Sequence, residues 1–138
     1  MNIEKKIIGE NNIITTRAIT LSREGRQPYT IVAFHSHYSQ SITYTLCNKM
    51  PGFDTDFCYW EMLHFLQKEY HIASFPAYFE ESDLSICSFN WGHANYELQC
   101  NYDVDIISLA TWKIAPSEHI SDELAIMLVQ HLLEVTAN

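Results

Sequence analysis

Apolar and polar residues alternate with period two over several stretches of the chain and with helical spacing over two others, and this alternation divides it into elements. Ile13 to Leu21 is rich in β-branched residues and predicts a strand. Ser22-Arg23-Glu24-Gly25-Arg26 predicts a turn, with Gly25 free to take a positive φ. Pro28 opens a second extended run, Tyr29 to Phe34, and Ser41 to Leu46 alternates as a half-buried strand. Residues 12–47 therefore predict a three-stranded antiparallel meander. Pro51-Gly52 breaks the chain. Asp54 or Thr55 can cap a helix running to about Tyr70, with Phe57, Trp60, Met62, Leu63, Phe65 and Leu66 as a wide packing stripe.

Residues 74–113 read as strands again: Tyr78-Phe79 after Pro76, Leu84 to Ile86, Tyr96 to Cys100, and Asp105 to Ile114, although Ile106 to Ala110 also fits a helix. Glu81-Ser82-Asp83 predicts a turn, and Asn90 to Asn95 a loop that holds Trp91 and Gly92. Pro116 ends the last strand. Ser121 is the expected cap of a C-terminal helix with Asp122 and Glu123 in its first turn. Leu124, Met127, Leu128, His131, Leu132 and Val135 would line one face, widened by Ile126 and Val129. The expected fold is α+β: an antiparallel sheet of about six strands with two helices packed on it, a single pair of layers. No repeat or Gly/Ser/Pro linker interrupts it, so residues 1–138 should form one domain.

Charge adds a second pattern. The formal net charge is −9. Residues 1–49 have six basic residues against three acidic ones, whereas residues 50–138 have two, Lys68 and Lys113, against fourteen. Between those two lysines stand Glu69, Glu80, Glu81, Asp83, Glu97, Asp103 and Asp105, interleaved with nine large aromatics. A surface of this composition suits a cationic protein, because charge steers the encounter and rings supply contact energy. It disfavours direct binding to nucleic acid or to an anionic membrane, which need a basic footprint. No segment approaches the roughly twenty apolar residues of a membrane span. The first six residues lack the apolar run of a secretory signal, which predicts a cytoplasmic protein.

Candidate chemistry is sparse. Seven histidines raise a metal reading. His35 and His37 lie two apart on an extended segment, and His71 or His93 would have to complete a tetrahedral set. Against this, the strand should end near Phe34, leaving the histidines in an exposed polar loop, so no metal site is expected. Glu61 and His64 form E-x-x-H without the second copy that carboxylate-bridged centres require. Cys47, Cys58, Cys87 and Cys100 contain no C-x-x-C and occupy apolar settings typical of inert buried thiols. With four glycines and no phosphate-cradling motif, the chain is expected not to be an enzyme and to need no cofactor. The candidate partner-binding residues are Glu80, Glu81, Asp83, Trp91, Asp103 and Asp105.

In size, acidity, α+β pattern and the base-free aromatic stretch from Glu69 to Trp112, the chain resembles bacterial immunity proteins of contact-dependent growth inhibition and related polymorphic toxin systems. The resemblance is one of architecture and matches no family motif. It implies a cytoplasmic protein without activity of its own. Such a protein binds one cognate toxin domain, often a nuclease, and covers its active site with carboxylates that stand in for phosphates. The alternatives are a chaperone like those of type III secretion, which usually opens with a helix where this chain opens with strands, and a small enzyme using His or Cys with a metal.

Overall fold

A computed structural model describes residues 1–48, 54–112 and 118–136. The expected breaks at Pro51-Gly52 and Pro116 lie outside the described residues. Among these residues, eight strands, not about six, form one antiparallel sheet. They are β1 (Asn2–Glu10), β2 (Ile14–Ser22), β3 (Tyr29–Ser36), β4 (Ser41–Asn48), β5 (Ala77–Phe79), β6 (Leu84–Trp91), β7 (Ala94–Asn101) and β8 (Ile106–Trp112). Their order across the sheet is β1-β2-β3-β4-β8-β7-β6-β5. Two four-stranded meanders are thus joined in the middle by β4 and β8, whose partners include Tyr44 with Leu109. The expected meander of residues 12–47 is present as β2 to β4, and β1 extends it outward.

Two helices, α1 (Thr55–Glu69) and α2 (Glu118–Val135), cover one face of the sheet. That face holds Ile19, Leu21, Ile31, Ile42, Tyr44, Leu98 and Leu109, all fully buried. The alternation that sequence shows is the physical cause. Alternate residues of a strand point to opposite faces, so Ile19 and Leu21 turn inward while Ala18 and Thr20 stay on the open side. Each buried aliphatic side chain contributes about 1.5–3 kcal/mol. The opposite face carries Thr16, Thr43, Thr45, Ser108 and Gln99, short or polar side chains suited to water.

The helix stripes are rotated from those expected. On α1 the buried residues are Cys58, Tyr59, Met62, Leu63 and Leu66, while Phe57 and Trp60 are exposed. On α2, Ala125 and Leu133 are buried, and Met127 and Val135 are exposed. α2 also starts at least three residues earlier than expected, so Ser121 is not its cap. The Ser121 hydroxyl donates to the Glu118 carbonyl at 3.0 Å and meets the Tyr44 hydroxyl at 2.7 Å. At α1 the expectation is met: the Asp54 carboxylate accepts the Asp56 N–H at 3.0 Å.

Candidate functional site

The strand order brings the ends of β4, β8, β7 and β6 side by side along one rim of the sheet. Asn48 pairs with Ile106, Ile106 with Asn101, and Asn101 with Leu84. Two loops and the start of α1 complete this rim. One loop is a single 3-10 turn, Glu80–Ser82, closed by Asp83 at φ +50°. The other runs from Tyr102 to Asp105, with Asp105 at φ +55°. Asparagine and aspartate tolerate this left-handed region better than other side chains, which is why the chain reverses there without glycine.

Two tyrosines bind the rim together. The Tyr78 hydroxyl donates to Asp83 Oδ1 at 2.7 Å, and the Tyr102 hydroxyl donates to Asp56 Oδ1 at 2.8 Å. Their rings meet edge to face at 6.3 Å. The Tyr102 N–H donates to the Asp83 carbonyl at 3.0 Å, and Thr55 Oγ1 donates to Asp105 Oδ1 at 3.0 Å. Five of the six expected contact residues, Glu80, Glu81, Asp83, Asp103 and Asp105, therefore share one end of the molecule. Asp54 and Asp56 join them. The sequence shows these two as residues of a helix start, and only the strand order reveals that the start sits against the acidic loops. Tyr78 and Phe79 are exposed beside the acids, at 57% and 48%.

Among the described residues, the side-chain charges of the rim are all negative. No lysine or arginine occurs in residues 54–67 or 79–106. Among the described residues, the offset comes from the N-terminal end of the α1 dipole, on which Asp54 and Asp56 sit. The field shows in the phenols. The bond to Asp83 raises the Tyr78 pKa, and burial together with the bond to Asp56 raises that of Tyr102. Glu80, Glu81, Asp103 and Asp105 are exposed and Asp83 is half-buried, so the charges face solvent.

Trp91 lies elsewhere. Gly92 and His93, at φ +58° and +64°, make a two-residue turn between β6 and β7, not the longer loop expected. Trp91 is thus the last residue of a strand, on the helix-covered face in line with Cys87 and Phe89. Its ring packs edge-on against Tyr70 at 5.0 Å and tilts against Tyr96 at 6.5 Å. An eight-residue strand separates it from Asp83, roughly 25 Å.

A second polar cluster, which no local motif signals, lies under the start of α2. Asp122 accepts two bonds from Arg17, at 2.7 and 2.9 Å, one from Tyr44, and an ion pair from Lys5 at 3.0 Å. Glu118 lies 3.4 Å from Arg17 and 4.0 Å from His35. Contrary to expectation, β3 continues to Ser36, so His35 is a strand residue. The His35 and His37 rings approach to 4.8 Å, and His37 Nε2 meets Thr15 Oγ1 at 2.7 Å. Burial lowers the His35 pKa, with His37 and Arg17 adding to the effect against Glu118.

Among the described residues, no three His, Cys, Asp or Glu side chains are grouped to hold a metal ion. Glu61 pairs with His131 of α2 at 3.2 Å, and the His64 ring lies against Trp60. All four cysteines are free and buried, and burial pushes Cys47 and Cys100 up to about 12, far from the range of a reactive thiolate. None of the described helices is long and apolar enough to cross a membrane. Compared with known proteins, the chain matches no protein-family model, no curated protein and no solved structure.

Proposed function

We propose that this chain is a binding protein that neutralises a cationic protein partner by docking its acidic rim onto the partner's basic surface. A toxin domain whose own substrate is anionic fits this chemistry best, since the carboxylates would occupy the place of phosphates. The cytoplasmic location expected from sequence belongs to the same proposal. One observation carries it: Glu80, Glu81, Asp83, Asp103 and Asp105 converge with Asp54 and Asp56 around two tyrosines, with no lysine or arginine in residues 54–67 or 79–106. Solvent-exposed ion pairs contribute only about 0.2–1 kcal/mol each. The acids therefore set direction and selectivity, and Tyr78 and Phe79 supply apolar contact area.

The test is co-purification with the protein encoded by the adjacent gene, read for a one-to-one complex and for loss of the partner's activity. The double reversal Glu81→Lys with Asp103→Lys should weaken that complex at least about tenfold, as expected for charges facing opposite charge. The double reversal Glu69→Lys with Glu123→Lys changes net charge equally, away from the rim, and should change affinity little. No complex, or equal losses from both pairs, would refute the rim as the contact surface.

A further inference from the structure

The two edges of the sheet are unequal. β5 is three residues long and runs straight into the 3-10 turn, so it offers almost no ladder. β1 is nine residues long, closes the other edge, and is exposed throughout. Ile3, Ile7 and Ile8 remain 41%, 56% and 55% exposed on it. A long edge with uncovered aliphatics is a template for another strand. A β1-to-β5 contact could engage three residues at most and would repeat without closing, whereas β1 against β1 closes as a two-fold pair.

We propose that β1 is the seam of a homodimer, pairing antiparallel with β1 of a second copy about a two-fold axis through Lys5. A two-fold axis perpendicular to the sheet keeps both helix layers on the same side and requires one residue to lie opposite itself. Centring on Glu4 sets Glu4 against Glu4 and Ile3 against lysine. Centring on Lys6 sets Lys6 against Lys6 and Glu4 against Ile8. Centring on Lys5 sets Glu4 against Lys6 twice and Ile3 against Ile7 twice, which matches charge to charge and aliphatic to aliphatic. The two Lys5 side chains that meet at the axis are each held by their own Asp122 at 3.0 Å. Ile3, Lys5 and Ile7 lie opposite Leu21, Ile19 and Arg17 on the helix side, and Glu4 and Lys6 lie opposite Thr20 and Ala18 on the open side. The irregularity between Ile7 and Gly9 ends the regular ladder, whose paired residues run from Asn2 to Ile7 with Glu4 and Lys5 in the middle. The pairing joins two sheets into one and points the two acidic rims in opposite directions, so it stands whether or not those rims bind a partner.

Sedimentation equilibrium of the full chain across micromolar concentrations tests this. A monomer–dimer equilibrium is expected. Lys6→Glu alone places glutamate opposite Glu4 twice and should raise the dimer dissociation constant about tenfold or more. Adding Glu4→Lys should restore it to within about threefold, because the pair is exchanged and not removed. Both side chains are exposed, and circular dichroism checks that each variant folds. In the wild type, hydrogen exchange at residues 2–8 should slow as concentration rises. A wild type that stays monomeric with exchange independent of concentration, an open series of oligomers, or a double variant that fails to recover would overturn the proposal.

Discussion

Asp122 is 1% exposed, and its carboxylate receives Arg17, Tyr44 and Lys5 together. Burial alone would raise its pKa; the bonds from Arg17, Tyr44 and Lys5 outweigh that and hold it below the usual carboxylate value. Arg17 is held above its own usual value, first by the same bond. Asp122→Ala leaves the buried Arg17 guanidinium with the half-buried Glu118, 3.4 Å away, as its remaining carboxylate, and we expect a loss of about 3 kcal/mol at neutral pH, read by urea denaturation. The sign of the pH dependence follows. A carboxyl with a depressed folded pKa gives its full stabilisation above its unfolded value, about 3.9, and loses it as pH falls through the folded one. The gap between wild type and Asp122→Ala should therefore narrow only in that acid window. A gap already closing at pH 6 would show that another group carries it. Sequence could not reveal this pair, because Arg17 and Asp122 are 105 positions apart. Locally, Ser121-Asp122-Glu123 has the composition of a helix start, but the long-range ion pair takes Asp122, and Ser121 meets Tyr44.

At the level of elements, period-two alternation made β2, β4 and β7 legible because each has one buried and one wet face. β1 was illegible for the converse reason: every residue is exposed, so Lys5-Lys6 and Ile7-Ile8 follow no alternation. The rotated stripe of α1 has a similar origin. Phe57 and Trp60 are apolar enough to be counted inward, yet the helix turns Cys58 and Tyr59 to the sheet, and the Tyr59 hydroxyl donates to the Leu98 carbonyl at 3.1 Å. The β6–β7 turn was hidden because Gly-His is not a usual pair for a two-residue hairpin. Its dependence on Gly92 is testable. A Cβ there would meet Ile120 at an ordinary 3.6 Å, so Gly92→Ala is penalised by the backbone at φ +58° and not by collision. The expected cost is about 1 kcal/mol in thermal or urea unfolding. A loss several times larger would point to packing instead.

On the scale of the whole molecule, the acidic half of the sequence becomes an acidic end of the fold. The base-free stretch predicted a charged surface, but which carboxylates meet depended on β8 lying between β4 and β7, and no pattern within a strand encodes its neighbours. Five of the six singled-out residues converge on that end, and Trp91 packs against Tyr70 at the other. If the rim steers a cationic partner, the association rate should fall steeply between low and physiological salt, as screening shortens the field to about 8 Å. Stopped-flow rates indifferent to salt would transfer the weight to Tyr78 and Phe79.

The Asp122 cluster also orders events in time. The residue that neutralises Lys5 and most of Arg17 comes 105 positions after Arg17, so a nascent chain carries both cations on unfinished strands until α2 has been synthesised. While α2 is still inside the ribosome, the inner faces of Ile19, Leu21 and Ile31 lack that lid, and the first meander must wait for it, greasy and positively charged.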